Sequence, residues 1–432
     1  MSCGLKMDSH KHSFVCIVIS IVLPFLVTFS SCDDSFPVFF EFTSGYGITG
    51  DSLSPYFYGS DADLSVPQLI HKYGFPCEIH HVTTKDGYIL ELHRIPFGTK
   101  SGSGPKPGKD VVFLQHGFLA SSADWIMNTV DKALAYELAN HGYDVWLGNA
   151  RGNTYSKNHT DLSPKDSKFW KFSFHEMGAY DIPAVLDYVL NTTQQPNLFY
   201  IGHSMGTCMF WITMQMYPEY NSKIRNMFAL APIAYVEHIK SPIRILSPLS
   251  TEAELVTEIF GDREFLPHDG WITLFRKIVC SHEPIREALC ANIIFLLSGF
   301  DKKELNETML PIILAHTPAG ASTHTIIHFA QYINSGKFRQ FDYGKRENMK
   351  IYKSEEPPKY DLSKVTAPVS LYWSDNDWLA VKEDVDRLKS QLPNVNDYFR
   401  VNYTQFTHLD FLFAIDAHKM VYERILESMK KY

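Results

Sequence analysis

Apolar and polar positions divide the chain into short, fully apolar runs and longer segments whose apolar residues repeat with helical spacing. The apolar runs predict buried strands; they are residues 110–117, 143–148, 198–201, 227–230, 369–373 and 398–401. The segments with helical spacing lie between or after them, at residues 131–142, 181–190, 207–217 and 417–429. Buried strands that alternate with helices predict a parallel sheet covered on both faces, with a site at the carboxyl ends of its strands.

Two regions depart from this alternation. Residues 78–84 and 88–95 alternate in polarity around Asp86-Gly87, which predicts a β-hairpin. The long region from 235 to 360 is mostly helical in pattern and falls between two sheet strands, so we interpret it as an inserted cap. The sequence therefore predicts an α/β core in two parts, residues 33–234 and 361–432, separated by a cap of residues 235–360.

The N-terminal segment has the pattern of a signal peptide. Lys6 and Lys11 precede 16 uncharged residues (14–29), and the small residues Ser30 and Ser31 follow. Such a run is short for a transmembrane helix and fits a signal-peptide core, so residues 1–32 are predicted to be a signal peptide. A signal anchor is the alternative that this pattern leaves open.

Other features of the chain fit a secretory route. Four Asn-X-Thr sequences are candidate glycan acceptors; they begin at Asn158, Asn191, Asn306 and Asn402. Cys280 and Cys290 lie close in sequence and could close a small loop in an oxidising compartment. Cys77 and Cys208 are expected to be free thiols.

The composition is that of a globular protein with a full core, since 45% of the 432 residues are hydrophobic and 20% are charged. The net charge of −8 at pH 7 argues against a nucleic-acid partner, which requires a concentrated basic face.

A small hydroxyl lies between two glycines where one predicted strand meets the next helix. Gly202-His203-Ser204-Met205-Gly206 has the pattern G-x-S-x-G in a strand–turn–helix context. This is the context of a nucleophile elbow, in which a tight turn raises the serine Oγ above the sheet and the helix N-terminus lies beside the developing oxyanion. We therefore predict that Ser204 is a catalytic nucleophile and that Gly202 and Gly206 allow the close passage of strand and helix.

A serine hydroxyl needs a base and an acid to become a nucleophile, in the chain order Ser, acid, His. His408 follows the last predicted strand and is the first choice for the base. Asp375 and Asp377 both follow strand 369–373, and either could orient the imidazole. For the oxyanion hole, the predicted donors are the backbone N–H groups of Phe118, after strand 110–117, and Met205.

The chain resembles the acid lipases, the family that includes gastric and lysosomal acid lipase. The resemblance runs from about residue 65 to the C-terminus. It is carried by stretches such as "LQHGFLASSADWI", "GYDVWLGNARGNTYS", "FWKFSFHEMGAYDIPA", "YIGHSMGT", "HTPAGAS" and "THLDF". The sequences "GNARGNTYS" and "FSFHEMGAYDIPA" are far more specific than G-x-S-x-G. The resemblance implies an α/β-hydrolase core with a mostly parallel sheet, an inserted helical cap with a lid, and hydrolysis of acyl esters of glycerol or sterols without cofactor or metal.

The resemblance also bears on individual residues. It favours Asp377 over Asp375, because the family's catalytic aspartate precedes a Leu-Leu-Ala stretch and Asp377 precedes Trp-Leu-Ala. Ser204 and His408 resemble the nucleophile and the base of the family, and Cys280 and Cys290 resemble its cap disulfide. The family commonly has Leu at the position of Phe118 and Gln at that of Met205. Since both act through backbone N–H groups, we expect activity to survive and these side chains to bear on acyl preference.

A lid of about residues 268–298 is expected in the cap, because Trp271, Phe275 and their apolar neighbours repeat with helical spacing. The expected partner is a lipid ester at a membrane, micelle or droplet interface, with no obligate protein partner. The expected location is the secretory pathway, in the lysosome lumen or outside the cell. The alternatives are a carboxylesterase that acts on soluble esters and a non-catalytic lipid-binding relative, although none of the three triad positions is lost.

Overall fold

The computed structural model describes residues 61–244, 262–267, 298–299 and 301–432. All of them fall in one compact unit. The predicted signal peptide, most of the predicted lid, and Cys280 and Cys290 lie outside the described residues.

The core is a mixed sheet of nine strands among the described residues, in the order β1-β2-β4-β3-β6-β7-β10-β11, with β5 paired to β2. Its strands, together with the separate pair β8 and β9, are β1 (Glu78–Thr83), β2 (Tyr88–Ile95), β3 (Val111–Gln115), β4 (Asp144–Leu147), β5 (Asn158–His159), β6 (Leu198–His203), β7 (Ile224–Leu230), β8 (Glu264–Phe265), β9 (Ala321–Ser322), β10 (Val369–Trp373) and β11 (Val395–Arg400). Strand β2 pairs antiparallel with β1, β4 and β5. Every other neighbouring pair from β4 to β11 is parallel, as the apolar runs predict.

Helices cover the sheet and form much of the described part of the predicted cap. They are α1 (Val66–Lys72), α2 (Leu134–Asn140), α3 (Phe174–Glu176), α4 (Ile182–Thr193), α5 (Met205–Met216), α6 (Leu310–His316), α7 (Thr323–Ser335), α8 (Lys345–Ile351), α9 (Lys382–Gln391), α10 (Asp410–Phe413) and α11 (Glu423–Met429). Short π-helical turns, Met177–Asp181 and His418–Tyr422, precede α4 and α11. Within the described ranges, none of these helices has both the length and the apolar character needed to cross a bilayer.

The central strands are buried on both faces, which explains their continuous apolar sequences. Every residue of β3, β4, β6 and β10 is buried, whereas the edge strand β11 is only partly covered. The predicted hairpin is present as β1 and β2, and Gly87 in its turn has a φ of +96°, a value that favours glycine. The sheet is stabilised by the hydrophobic effect, because both of its faces are removed from water.

Arg151, in the "GNARGN" stretch, ties the hairpin turn to the core. Its guanidinium is fully buried, lies 2.6 Å from carboxylate oxygens of both Asp86 and Asp181, and stacks 4.0 Å from the Tyr88 ring. A buried guanidinium needs this many partners because removing a charge from water is costly. The arginine of the "GNARGN" stretch therefore has a structural role, which is to hold the hairpin turn against the core.

The candidate glycan acceptors are accessible to different degrees. Asn158, Asn191 and Asn402 are exposed, while Asn306 is half-buried and accepts a hydrogen bond from Thr308 Oγ1. Cys77 and Cys208 are free thiols, and Cys208 is fully buried.

Candidate active site

The predicted site residues come from four loops at one edge of the sheet. Phe118 follows β3, Ser204 follows β6, Asp377 follows β10 and His408 follows β11. Because these four strands are parallel, their carboxyl ends meet at the same edge. Residues that are up to 290 positions apart in sequence are thereby brought to one place.

Ser204 occupies a strained turn between β6 and α5. Its φ of +53° with ψ of −119° is unfavourable for a residue with a side chain. Little room is left for a side chain on either side. A Cβ at Gly202 would lie 3.1 Å from the carbonyl oxygen of Gly206, and a Cβ at Gly206 would collide with the carbonyl oxygen of Gln115. The turn is therefore as tight as the G-x-S-x-G pattern predicts.

His408 and Asp377 form a buried hydrogen-bonded pair. The Nδ1 of His408 lies 2.9 Å and 3.0 Å from the two carboxylate oxygens of Asp377, and the two residues are 3% and 1% exposed. Asp375 is elsewhere, because its carboxylate accepts hydrogen bonds from the Arg400 guanidinium, which holds the pKa of Asp375 below its usual range. Of the two candidate acids, only Asp377 reaches the imidazole in the described structure.

Backbone amides hold the Asp377 carboxylate in this orientation. Its Oδ1 accepts hydrogen bonds from the N–H groups of Leu379 (2.8 Å) and Ala380 (2.7 Å). These hydrogen bonds fix the direction in which the carboxylate faces the imidazole, as the acid of a Ser-His-Asp triad requires.

The two predicted oxyanion donors belong to residues close to Ser204. Met205 is the first residue of α5, so its N–H has no partner within the helix. Gly117 packs so closely that a Cβ there would lie 3.2 Å from Ser204 Cβ. The Nδ1 of His116 donates to the carbonyl oxygen of Gly117 (2.8 Å), and its Nε2 accepts from the Ala150 N–H. This fixes the peptide group that carries the N–H of Phe118.

Two apolar pockets meet at Ser204. The smaller, which we call the aliphatic pocket, has a volume of about 70 Å³. Its walls include Ile233, Val236, Ile239, Ile326, Phe329 and Ile333. The larger, which we call the His408 pocket, has a volume of about 250 Å³ and includes His408, Leu409, Phe413 and Thr317. Phe118, Ser204, Ile243 and Leu379 line both pockets. Residues of the predicted cap therefore supply walls of both pockets.

Two residues at this site were not singled out from the sequence. His203 donates from Nε2 to the backbone carbonyl oxygen of His408 (2.9 Å), and burial lowers the pKa of His203 well below its usual value. Asp124 places a buried carboxyl in the His408 pocket. The position of His203 beside Ser204 was the only sequence signal for it, and Asp124 had none.

No group of three or more His, Cys, Asp or Glu side chains that could hold a metal ion occurs within the described ranges. The pocket at Ser204 brings together the group types that nucleophilic catalysis uses: a serine on a strained turn, an imidazole, and a carboxylate hydrogen-bonded to Nδ1 of that imidazole.

Comparison with known proteins relates this arrangement to a family. Residues 66–129 match a model described as "Partial alpha/beta-hydrolase lipase region", and residues 110–262 match one described as "alpha/beta hydrolase fold". Gastric triacylglycerol lipase of Rattus norvegicus is 40% identical over 370 residues, which cover 85% of this chain and 92% of the relative. The chain belongs to the acid lipase family. Human lysosomal acid lipase/cholesteryl ester hydrolase is 40% identical (86% and 92% covered), and Lipase 1 of Drosophila melanogaster is 43% identical (86% and 81% covered).

As an acid lipase, the protein is a carboxylic ester hydrolase with the α/β-hydrolase fold. The resemblance and the fold class predicted from the sequence are thereby confirmed.

Proposed function

We propose that this acid lipase hydrolyses acyl esters of glycerol or sterols through an acyl-enzyme formed on Ser204, with His408 as base and Asp377 as its acid partner. The observation that carries the proposal is the placement of Ser204, on a strained turn, in the same pocket as an imidazole whose Nδ1 is hydrogen-bonded to a buried aspartate. The substrate class is drawn from relatives named as a triacylglycerol lipase and as a cholesteryl ester hydrolase.

The proposed reaction has two halves. Ser204 Oγ attacks the ester carbonyl carbon while its proton passes to Nε2 of His408, and Asp377 stabilises the imidazolium. The N–H groups of Phe118 and Met205 donate to the oxyanion. His408 then gives the proton to the alcohol oxygen as the C–O bond breaks. Water attacks the acyl-enzyme with the same base, releasing the fatty acid and restoring Ser204.

We further propose that the enzyme works at a lipid interface and that residues 235–360 form the cap over the site. The support is that Ile239, Ile326 and Ile333, all from this region, line an apolar pocket at Ser204. A long acyl chain that binds there leaves water for an apolar surface, which favours binding in proportion to the area buried.

A secretory-pathway location, in the lysosome lumen or outside the cell, is part of the same proposal. It is supported by the signal-like residues 1–32, by the exposure of Asn158, Asn191 and Asn402, and by a relative named as lysosomal. Treatment of the protein from a secretory host with an endoglycosidase should lower its apparent mass, and an unchanged mass would contradict glycosylation.

The main test compares three substrates with one preparation of the full chain: emulsified trioleoylglycerol, emulsified cholesteryl oleate and a dissolved short-chain ester. A lipase should cleave at least one emulsion faster than the dissolved ester at equal ester concentration. Ser204→Ala should lose activity on all three by many orders of magnitude, because nucleophile and base act as a unit. Activity confined to the dissolved ester would indicate the carboxylesterase alternative.

A further inference from the structure

The His408 pocket contains a carboxyl group that the proposed reaction does not use. Asp124 lies in a 3-10 turn, Ser122–Trp125, that follows the loop of Phe118, and it is only 5% exposed. It lines the same pocket as Ser204 and His408, among walls that are mostly apolar.

This carboxyl has little protein to satisfy it. Among the described residues, the side chain that contacts it is Thr317, whose Oγ1 lies 3.4 Å from Oδ1, at the long limit of a hydrogen bond. The Asp124 carboxyl forms no ion pair with any of the described residues. A buried carboxyl without a good partner is costly, and such a group facing a binding pocket marks a place for a ligand's polar atom.

Burial also decides the form of the group. Loss of hydration raises the pKa of Asp124 to about 7, so at pH 5 the carboxyl is uncharged and can both donate and accept a hydrogen bond. The titratable groups on elements around it are His203 and His408 in the pocket, His316 beside Thr317 and Asp410 on α10.

The position of His408 indicates which half of the ester reaches Asp124. The base must protonate the leaving alcohol oxygen, so the alcohol half of the ester lies on the His408 side of Ser204. The aliphatic pocket, which has a wall of isoleucines and is not lined by His408, then accepts the acyl chain.

We propose that Asp124 is a specificity-determining residue that hydrogen-bonds an oxygen of the alcohol half, either a free hydroxyl or a second ester carbonyl of an acylglycerol. The inference rests on the proposed function and deepens it. It assigns a preference for glycerol esters, whose alcohol half carries further oxygens, over esters of a purely hydrocarbon alcohol.

The test uses dioleoylglycerol and hexadecyl oleate, which share an acyl chain and differ in the oxygens of the alcohol half. Both are presented in the same mixed micelles at pH 5, and the measured quantity is the ratio of kcat/KM for the two substrates. Asp124→Leu, close in volume but without polar atoms, should lower this ratio about tenfold, the effect of one hydrogen bond. Asp124→Asn keeps a donor and an acceptor and should retain most of the ratio.

The outcomes separate the two proposals. A ratio that is the same in wild type and Asp124→Leu overturns the role of Asp124 while leaving the lipase function intact. Wild-type protein that cleaves neither ester contradicts the proposed function itself. Asp124→Ala repeats the comparison without the branched side chain, and thermal unfolding of each variant identifies any that is misfolded.

Discussion

The Nε2 of His203 lies 2.9 Å from the backbone carbonyl oxygen of His408, so the residue before the proposed nucleophile is hydrogen-bonded to the proposed base. Their rings are 4.8 Å apart. Burial lowers the pKa of His203 and so favours the neutral ring, whose single N–H donates this bond. The hydrogen bond joins the nucleophile elbow to the loop that carries the base.

His203→Leu should therefore impair catalysis by letting the His408 loop shift. Loss of the donor leaves a buried carbonyl unsatisfied, and small displacements of a catalytic group cost roughly 10- to 100-fold in rate. We expect the loss in kcat, with KM nearly unchanged, in assays on a dissolved ester. His203→Gln, which keeps an N–H at similar reach, should recover part of the rate. A change in KM alone would contradict a positioning role.

Asp377→Asn should be far more damaging than Asp375→Asn. Loss of the carboxylate that orients the imidazole and stabilises its charge should lower kcat by roughly 10⁴. Asp375 is paired with Arg400 at a partly exposed site, where an ion pair contributes about 1 kcal/mol or less to stability. Single-turnover rates of the two matched variants decide between them, and the reverse ranking would transfer the role to Asp375.

Gly206→Ala should prevent the elbow from closing. The added methyl would collide with the carbonyl oxygen of Gln115, a backbone atom of β3 that cannot move freely. We expect a lower unfolding temperature and no measurable hydrolysis. Gly104→Ala is the matched control, since a Cβ there has no atom within 4 Å. Equal behaviour of the two variants in thermal unfolding would mean that the turn is not under steric constraint.

Asp410 should make the protein less stable at neutral pH than in acid. Burial raises its pKa to about 7, and the nearby Asp301 and Glu304 act in the same direction, although the Thr407 N–H opposes them. Because the folded-state pKa lies above the unfolded value of about 3.9, the stabilisation is complete below that value and is lost as pH rises towards 7.

Asp410→Asn is uncharged at every pH and tests this dependence. The unfolding temperature of the variant minus that of wild type should rise between pH 4 and pH 7.5. Over the same pH range, the free energy of unfolding of the wild type should fall relative to that of the variant by an amount on the order of a few kcal/mol. A temperature difference that is constant with pH would show that the wild-type carboxyl is not protonated in the fold.

The apolar periodicity around Trp271 and Phe275 predicts a lid that meets the lipid. Replacing both residues by serine should reduce activity on emulsions far more than on a dissolved short-chain ester, because only the emulsion offers an apolar partner for the opened lid. Equal losses on both substrates would indicate that the two aromatic side chains only hold the cap together.

Peptide mapping without reduction should find Cys280 joined to Cys290.

The strands and the elbow were predictable from the sequence because two-sided burial and a tight turn leave local signals. β10 was predicted with its observed bounds, and the helix after Ser204 begins only two residues earlier than expected. Such patterns depend on hydrophobic runs and glycines, which act over a few residues.

Local spacing could not decide whether Asp377 or Asp375 is the acid beside His408. Which side chain points inward depends on the path of the loop after β10 and on Arg400, which lies 25 residues further along the chain and binds Asp375. The same holds for Asp124, because the pocket that it lines is built with Thr317 and Phe413, which are distant in sequence.

The hydrogen bond between His203 and His408 joins residues 205 positions apart, and it forms at the proposed catalytic site. Contacts of such long sequence separation are among the slowest to form during folding. A chain that has made β6 and α5 but has not yet docked the segment beyond β11 holds the proposed nucleophile without the proposed base. Such a chain should be inactive until its sheet is complete, so recovery of hydrolysis after refolding should report the final stage of assembly.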